Sequence, residues 1–182
     1  MVKRVQQEWL ELARKLLIRG GVEAVTVQSI SRKLGVTRGG FYNYFGNREV
    51  LLQHLLQDWQ NVNTRALRRI AASDRTDGEA QFVELIGMWV EDADYSPEYD
   101  AAIRDWARRA PEIARKVRKV DNERIRLIQR IFHNLGFRGL EAHIRARVTY
   151  YHQVGYYALA VHESRLTRRR LSRLYVLALS GR

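Results

Sequence analysis

Several residue types are absent or scarce in this chain of 182 residues. It contains no cysteine and only two prolines, Pro97 and Pro111. Without cysteine the chain has no disulfides, zinc–thiolate sites or thiol nucleophiles, which suits a reducing compartment. It also lacks the alternating runs of Val, Ile and Thr that indicate strands. The sequence therefore predicts an all-α protein.

Long apolar segments and export signals are missing as well. The longest uncharged stretch, residues 148–162, is shorter than a bilayer-spanning helix and contains two histidines and a glutamine. The first eleven residues are charged and amphipathic, unlike a signal peptide. We therefore expect a cytoplasmic protein with no membrane partner.

Catalytic and metal-binding patterns are also missing. The sequence has no Gly-x-Ser-x-Gly, P-loop or dinucleotide-binding glycine pattern. Its five histidines include no pair at the three- or four-residue spacing that would place two metal ligands on one helix face. The sequence therefore predicts no enzyme, no catalytic residue, no cofactor and no metal ion.

Basic residues are abundant. The chain has 32 Lys and Arg against 20 Asp and Glu, which gives a formal net charge of +12. Such an excess favours an anionic partner, because cations that neutralise phosphates release bound counterions. Nucleic acid is the first candidate, while an anionic membrane surface or simple solubility would explain the same sign.

Apolar residues recur every three or four positions along almost the whole chain, which is typical of amphipathic helices. Glycines and a polar break at residues 73–78 separate the segments, and both prolines stand where a helix can begin. The pattern predicts about nine helices, at residues 3–19, 26–34, 37–44, 48–72, 79–93, 97–109, 111–135, 138–162 and 167–180.

Residues 26–45 have the pattern of a helix-turn-helix. Thr26 and Thr37 can each cap a short helix, and Gly35-Val36-Thr37 separates the two helices. Helices this short need packing partners. The apolar residues with the spacing to supply that packing are Ile30, Leu34, Val36, Phe41 and Phe45. This packing leaves one face of the second helix free.

The free face carries groups suited to reading DNA. Its residues are Thr37, Arg38, Gly39, Gly40, Tyr42, Asn43 and Tyr44. Arginine pairs with guanine and asparagine with adenine in the major groove, and hydroxyls suit phosphates. Adjacent glycines weaken a helix but allow close approach to DNA. The alternative is an ordinary helix-turn whose glycines only loosen a surface loop.

Residues 9–56 resemble the TetR family of prokaryotic regulators. The resemblance rests on Thr26-Val27, Leu34-Gly35-Val36, Gly39, Phe41-Tyr42, Tyr44-Phe45 and Asn47-Arg48-Glu49. It implies a three-helix DNA-binding head at residues 1–47 and an effector-binding, dimerising helical body at residues 48–182. It further implies a homodimeric repressor that a small molecule releases from a palindromic operator in double-stranded DNA.

The resemblance also assigns roles within the head. Thr26 and Gln28 would contact the backbone or a base, and Arg48 would hold a phosphate. The sequence departs from the family at Asn43-Tyr44, where Trp-His or Tyr-His is commoner, so the operator of a relative cannot be transferred. Asn43 is either a base-reading residue or a solvated polar one.

Aromatic residues are frequent in the body and suit the wall of an apolar cavity. The same residues can equally be part of an ordinary core. The predicted pocket residues are Trp59, Phe82, Trp89, Trp106, Tyr150 and Tyr151.

The last two predicted helices each carry an apolar stripe, and pairing across a twofold axis would form a four-helix bundle. The predicted dimer residues are Ile144, Val148, Tyr151, Gly155, Leu159, Leu171, Leu174 and Ala178.

Two other functions remain open at this point. The chain could be a helical ligand-binding or interaction protein without operator-specific DNA binding. It could also be a basic protein that docks on anionic membranes.

Overall fold

The structure, a computed structural model, describes residues 2–73, 77–92 and 94–181, and the side chains from residue 6 onward within them. These residues contain no strand, so the predicted all-α fold is confirmed. Part of the predicted polar break, residues 74–76, lies outside the described residues. The helices are α1 (Val2–Gly20), α2 (Val27–Leu34), α3 (Arg38–Phe45), α4 (Arg48–Ala72), α5 (Gly78–Glu91), α6 (Pro97–Arg109), α7 (Pro111–Asn134), α8 (Gly139–Ala158) and α9 (Arg165–Ser180).

The chain forms two compact units. The first unit comprises Met1–Asn61 and Glu98–Ala114, and the second comprises Val62–Pro97 and Arg115–Arg182. Helix α4 contributes residues to both units, and nearly all of α6 belongs to the first.

The core of the first unit is aromatic. Trp9 on α1 is buried, and its ring lies 5.5 Å from that of Phe41 on α3. Phe41 in turn stacks on Phe45 at 5.3 Å. Ile30 of α2 and Leu51 of α4 are fully buried in the same unit. These contacts fix α3 by its apolar side, as the residue spacing predicts.

Polar groups attach α6 to α4 within the first unit. The Trp59 indole donates to Asp100 Oδ1 at 2.9 Å, and the Tyr99 hydroxyl donates to the Leu55 carbonyl at 2.6 Å. Burial raises the pKa of Asp58 although Arg14 lies 3.7 Å away. Because buried polar groups are costly unless paired, these bonds hold α6 in one position on α4.

The second unit has a continuous apolar core formed by parts of α4, α5, α7 and α8. It includes Leu67, Phe82, Ile128, Phe132 and Tyr150, each at most 4% exposed. Helix α9 packs against α5 and α8. None of the described helices has the length and apolar character needed to cross a membrane.

One predicted boundary is wrong. The prediction extends the penultimate helix to residue 162, but α8 ends at Ala158. There Ala160 adopts a left-handed φ of 51°, and the Val161 and Ala160 amides donate to the carbonyls of Tyr156 and Tyr157. This is a Schellman-type termination, in which glycine usually marks the left-handed position. Alanine occupies it here, so the sequence carried no stop signal.

Candidate nucleic-acid interface

Helix α2 begins and ends where its sequence predicts. The Thr26 hydroxyl accepts from the Ser29 amide at 3.0 Å and thereby satisfies one of the free amides of the first turn. Gly35 ends the helix with a left-handed φ of 66°. The Thr26 side chain is therefore a helix cap, whereas Gln28, two residues later, is exposed.

Helix α3 has eight residues and presents two faces. Phe41 and Phe45 are buried on one side, while Thr37, Arg38, Gly39, Tyr42 and Asn43 are exposed on the other. Thr37 occupies the N-cap position, but its side chain makes no capping hydrogen bond. Gly40 and Tyr44 are half-buried. The structure thus brings the predicted reading residues of α3 together on one short helix.

The glycines of α3 have free space around them. A Cβ atom at Gly40 would meet nothing within 4 Å, and one at Gly39 would lie 3.8 Å from Thr37 Oγ1. Neither has a positive φ, so neither is required by the fold. The described residues therefore contain no contact that requires glycine at either position.

Residues 32, 33 and 36 add to this surface. Arg32 and Lys33, in the last turn of α2, are exposed and make no ion pair with a described residue. Their sequence positions did not mark them as DNA-binding, because basic residues are also common at a helix C-terminus, where they stabilise the helix dipole. Val36, predicted to pack inside, is 45% exposed, so that prediction is wrong. It stands in the turn between α2 and α3, outside both helices.

Arg48 has partners within the chain. Its Nε donates to the Val25 carbonyl at 2.6 Å and its Nη2 to the Val22 carbonyl at 2.7 Å. These bonds join the start of α4 to the 3-10 turn Val22–Ala24 and to the residue before the Thr26 cap. Arg48 therefore positions the entrance to α2, and its predicted phosphate contact stays a prediction.

The predicted pocket residues are divided between the two units, and their assignment to a pocket stays a prediction. Trp59 and Trp106 belong to the first unit and the other four to the second. Phe82 and Tyr150 are core residues, the latter donating to Asp121 at 2.6 Å, and Tyr151 is 51% exposed. Only Trp89 of the six lines the cavity between α5, α8 and α9.

That cavity belongs to the second unit and has a volume of about 40 Å³. A second, open pocket beside the α8–α9 connection measures about 440 Å³. Tyr156, Glu163 and Arg168 line both pockets. The remaining residues of the first are Ile86, Trp89, Val90, His152, Gln153, Tyr175 and Leu179.

Ionic hydrogen bonds fix one wall of the cavity. Arg168 Nη1 lies 2.8 Å from Asp92 Oδ2, and the Tyr157 hydroxyl donates to Asp92 Oδ1. Burial opposes the charge of Asp92, but the bonds from Arg168 and Tyr157 prevail and lower its pKa. Burial and the neighbouring Asp92 raise the pKa of Tyr157, and burial lowers the pKa of His152. His152 therefore favours its neutral form.

The predicted dimer residues lie largely on the surface. On α8, Ile144, Val148 and Tyr151 are 51–53% exposed, and Gly155 is half-buried. Leu159 follows the end of α8 and is 79% exposed. On α9, Leu174 is 61% exposed and Ala178 is exposed, whereas Leu171 is half-buried. Leu140, Leu166 and Leu177 extend the exposed apolar set. The described part of the chain leaves this surface uncovered.

The family comparison matches the N-terminal part of the chain, whereas comparisons with solved structures match nearly all of it. Residues 10–55 match the family model described as bacterial regulatory proteins, tetR family. An uncharacterised HTH-type transcriptional regulator, YfiR of Bacillus subtilis (strain 168), is 26% identical over 102 residues. That match covers 56% of this chain and 44% of the relative, so the two correspond over less than half of the relative's length.

Solved structures match over nearly the whole chain. A transcriptional regulator and a TetR-like transcriptional regulator from Rhodococcus sp. RHA1 have TM-scores of 0.72 and 0.69 at 15% and 16% identity. Each match covers 97% of this chain and at least 94% of the other. A TetR transcriptional regulator from Agrobacterium tumefaciens has a TM-score of 0.60 at 19% identity, over 96% of this chain and 92% of its own. These likenesses show the fold, and the match to the tetR family model is confined to residues 10–55 of the chain.

Proposed function

We propose that this protein is a sequence-specific DNA-binding transcriptional repressor that binds a palindromic operator as a homodimer. The observation that carries the proposal is the exposed face of α3, held by Phe41 and Phe45 on its buried side. Arg38 and Asn43 offer a bidentate donor pair and an amide to base edges. Gly39 and Gly40 let the backbone approach the groove, and exposed Val36 suits a thymine methyl group.

The dimer follows from the exposed apolar surface of α8 and α9. A monomer would leave Ile144, Val148 and Leu174 in water, whereas a second copy would bury the same patch against itself. Two copies of α3 can enter successive major grooves only when they stand about 34 Å apart, or a multiple of that distance. Dimer geometry therefore controls operator affinity.

A small-molecule effector would act through the second unit. The cavity beside Trp89 and Tyr156 has aromatic walls with a few polar groups, as ligand sites commonly do. An effector releases the operator if it binds more tightly to the conformation with wrongly spaced α3 helices. This part fails if no small molecule changes the affinity of an otherwise DNA-competent protein.

The first experiment selects bound fragments from genomic DNA in vitro and compares wild type with Arg38→Ala and Asn43→Ala. We expect wild type to enrich one palindromic sequence and each variant to change the preferred bases, at about 1–3 kcal/mol per lost base contact. The control is Gln7→Ala, which removes an exposed amide side chain from α1 and should leave the sequence preference intact.

The alternative is a helical ligand-binding or interaction protein without operator-specific binding. That function predicts neither an enriched sequence nor the steep fall of affinity with salt that is expected of a DNA-binding protein. Equal loss of affinity for every sequence in Arg38→Ala and Asn43→Ala would refute their assignment to base reading.

A further inference from the structure

Helix α7 carries basic residues to which the proposed function assigns no role. Its buried side consists of apolar residues such as Val117, Ile128 and Ile131. Its outer side is exposed and almost entirely positive. We name this outer side the α7 basic face, and it consists of Arg115, Lys116, Arg118, Lys119, Arg126 and Arg130.

The charges of the α7 basic face are not neutralised within the described part of the chain. None of its six residues makes an ion pair or side-chain hydrogen bond with a described residue. The two acids in the middle of α7 are engaged elsewhere, since Asp121 accepts from Tyr150 and Glu123 pairs with Arg68 at 2.7 Å. Only Glu112, near the start of the helix, is an exposed acid.

Several exposed arginines outside α7 do have acidic partners. Arg65 pairs with Asp94 at 3.0 Å and Arg69 with Glu84 at 3.2 Å. Arg108 pairs with Asp105 at 2.7 Å. On α7, in contrast, like charges stand three and four residues apart, as at Arg115 and Lys119 or Arg126 and Arg130, and repel each other. These cations do not stabilise α7 by pairing with acids, and Arg32, Lys33 and Arg38 at the candidate DNA surface likewise make no ion pair with a described residue.

We infer that the α7 basic face binds the phosphate backbone of duplex DNA without regard to sequence. This inference rests on the proposed DNA-binding function. From Arg115 to Arg130 the face extends about 22 Å along the helix, and over that length a duplex presents roughly a dozen phosphates. Four of the six residues are arginines and two are lysines, and both residue types bind phosphates as cations.

The chemistry of the face favours DNA over a membrane. A helix that binds a bilayer surface inserts an apolar side among the lipids. The apolar side of α7 is instead buried within the protein, and the exposed side has no large apolar residue among the cations.

The test compares two full-length variants that each lose four positive charges. The first is Arg118→Gln/Lys119→Gln/Arg126→Gln/Arg130→Gln, and the control is Arg65→Gln/Arg69→Gln/Arg108→Gln/Arg109→Gln, which removes exposed cations that have acidic partners. The probe is a random-sequence duplex of about 40 base pairs, titrated by fluorescence anisotropy between about 50 and 300 mM KCl.

We expect the α7 variant to bind this duplex at least about ten-fold more weakly than the control near 100 mM salt. Its slope of log affinity against log salt should be less negative by about 3 to 4, since each lost phosphate contact removes about 0.9. The charge-conserving variant Arg118→Lys/Arg126→Lys/Arg130→Lys should bind as wild type does, which separates loss of charge from loss of folding.

Other outcomes overturn the inference. Equal affinity and slope in the α7 variant and the control would show that the face contacts no DNA. Loss of binding to phosphatidylglycerol vesicles, with duplex binding unchanged, would assign the face to a membrane. Failure of the proposed function is distinguishable, because it removes the sequence preference seen in genomic selection, whereas the α7 variant should retain that preference.

Discussion

Gly40 shows how one residue can separate stability from DNA binding. A Cβ atom at this position meets nothing within 4 Å, so alanine fits the free protein. Alanine also favours a helix over glycine by about 1 kcal/mol. The glycine therefore makes the folded state less stable than it could be, which is explained if the groove wall lies against α3.

We expect Gly40→Ala to raise the thermal unfolding midpoint and to lower affinity for the selected operator fragment. Differential scanning calorimetry and anisotropy titration measure the two effects on the same sample. Gly87→Ala on α5 is the matched control, because its site is also open and it should gain similar stability with unchanged DNA affinity. A Gly40→Ala variant that binds the fragment as tightly as Gly87→Ala does would rule out close approach at this position.

Single residues also show what could be read from the sequence. Thr26 and Gly35 act through local backbone geometry, so their capping roles are visible in the order of residues alone. Val36 is exposed, and Arg48 binds two carbonyls more than twenty residues away along the chain. Such outcomes depend on which neighbours the fold supplies, and no local pattern encodes them.

At the level of helices, α5 contains two glycines with opposite surroundings. A Cβ atom at Gly78 would lie 2.3 Å from the Leu135 amide nitrogen and 2.4 Å from the Asn134 carbonyl carbon. The backbone at the start of α5 thus lies directly against the end of α7. Gly87, later in the same helix, has free space.

We expect Gly78→Ala to lower the free energy of unfolding by about 1–3 kcal/mol, because backbone atoms of α7 cannot move aside as a flexible side chain would. Gly87→Ala should raise it by about 0.5–1 kcal/mol. Chemical denaturation of both variants measures the difference. Equal effects of the two substitutions would contradict the close contact between α5 and α7.

The helices differ in how far their sequence predicts them. The bounds of α4 were predicted at residues 48 and 72, and these are its observed ends, because Gly46-Asn47 and the polar break flank a long apolar repeat. The end of α8 could not be predicted, since Ala160 holds a conformation that usually requires glycine. Periodicity therefore identifies helices well, and their ends only where the usual residues mark them.

For the whole molecule, the exposed stripe of α8 and α9 predicts that operator binding depends on dimerisation. Val148→Asp places a charge on this stripe at a residue that is 53% exposed, so the monomer should still fold. We expect dimer affinity to fall by at least about 30-fold, the effect of losing about 2 kcal/mol at an interface centre. Analytical ultracentrifugation measures it.

Val83→Asp provides the comparison, because Val83 on α5 is 55% exposed and lies outside the stripe. This variant should dimerise and bind the operator as wild type does. If Val148→Asp remained a dimer with wild-type operator affinity, the α8–α9 stripe would not be the dimer surface.

The predicted division of the chain into a DNA-binding head at residues 1–47 and a helical body at residues 48–182 stays a prediction.

The four tryptophans are divided between the two units in a way that provides intrinsic optical probes. Trp9 packs on Phe41 of α3, whereas Trp89 is the only tryptophan of the second unit and lines its cavity. With the other three tryptophans replaced by phenylalanine, Trp89 emission would follow cavity occupancy. A chain that retains only Trp9 would follow the surroundings of α3. The order in which the cavity is filled and the surroundings of α3 change could thus be measured in unlabelled protein.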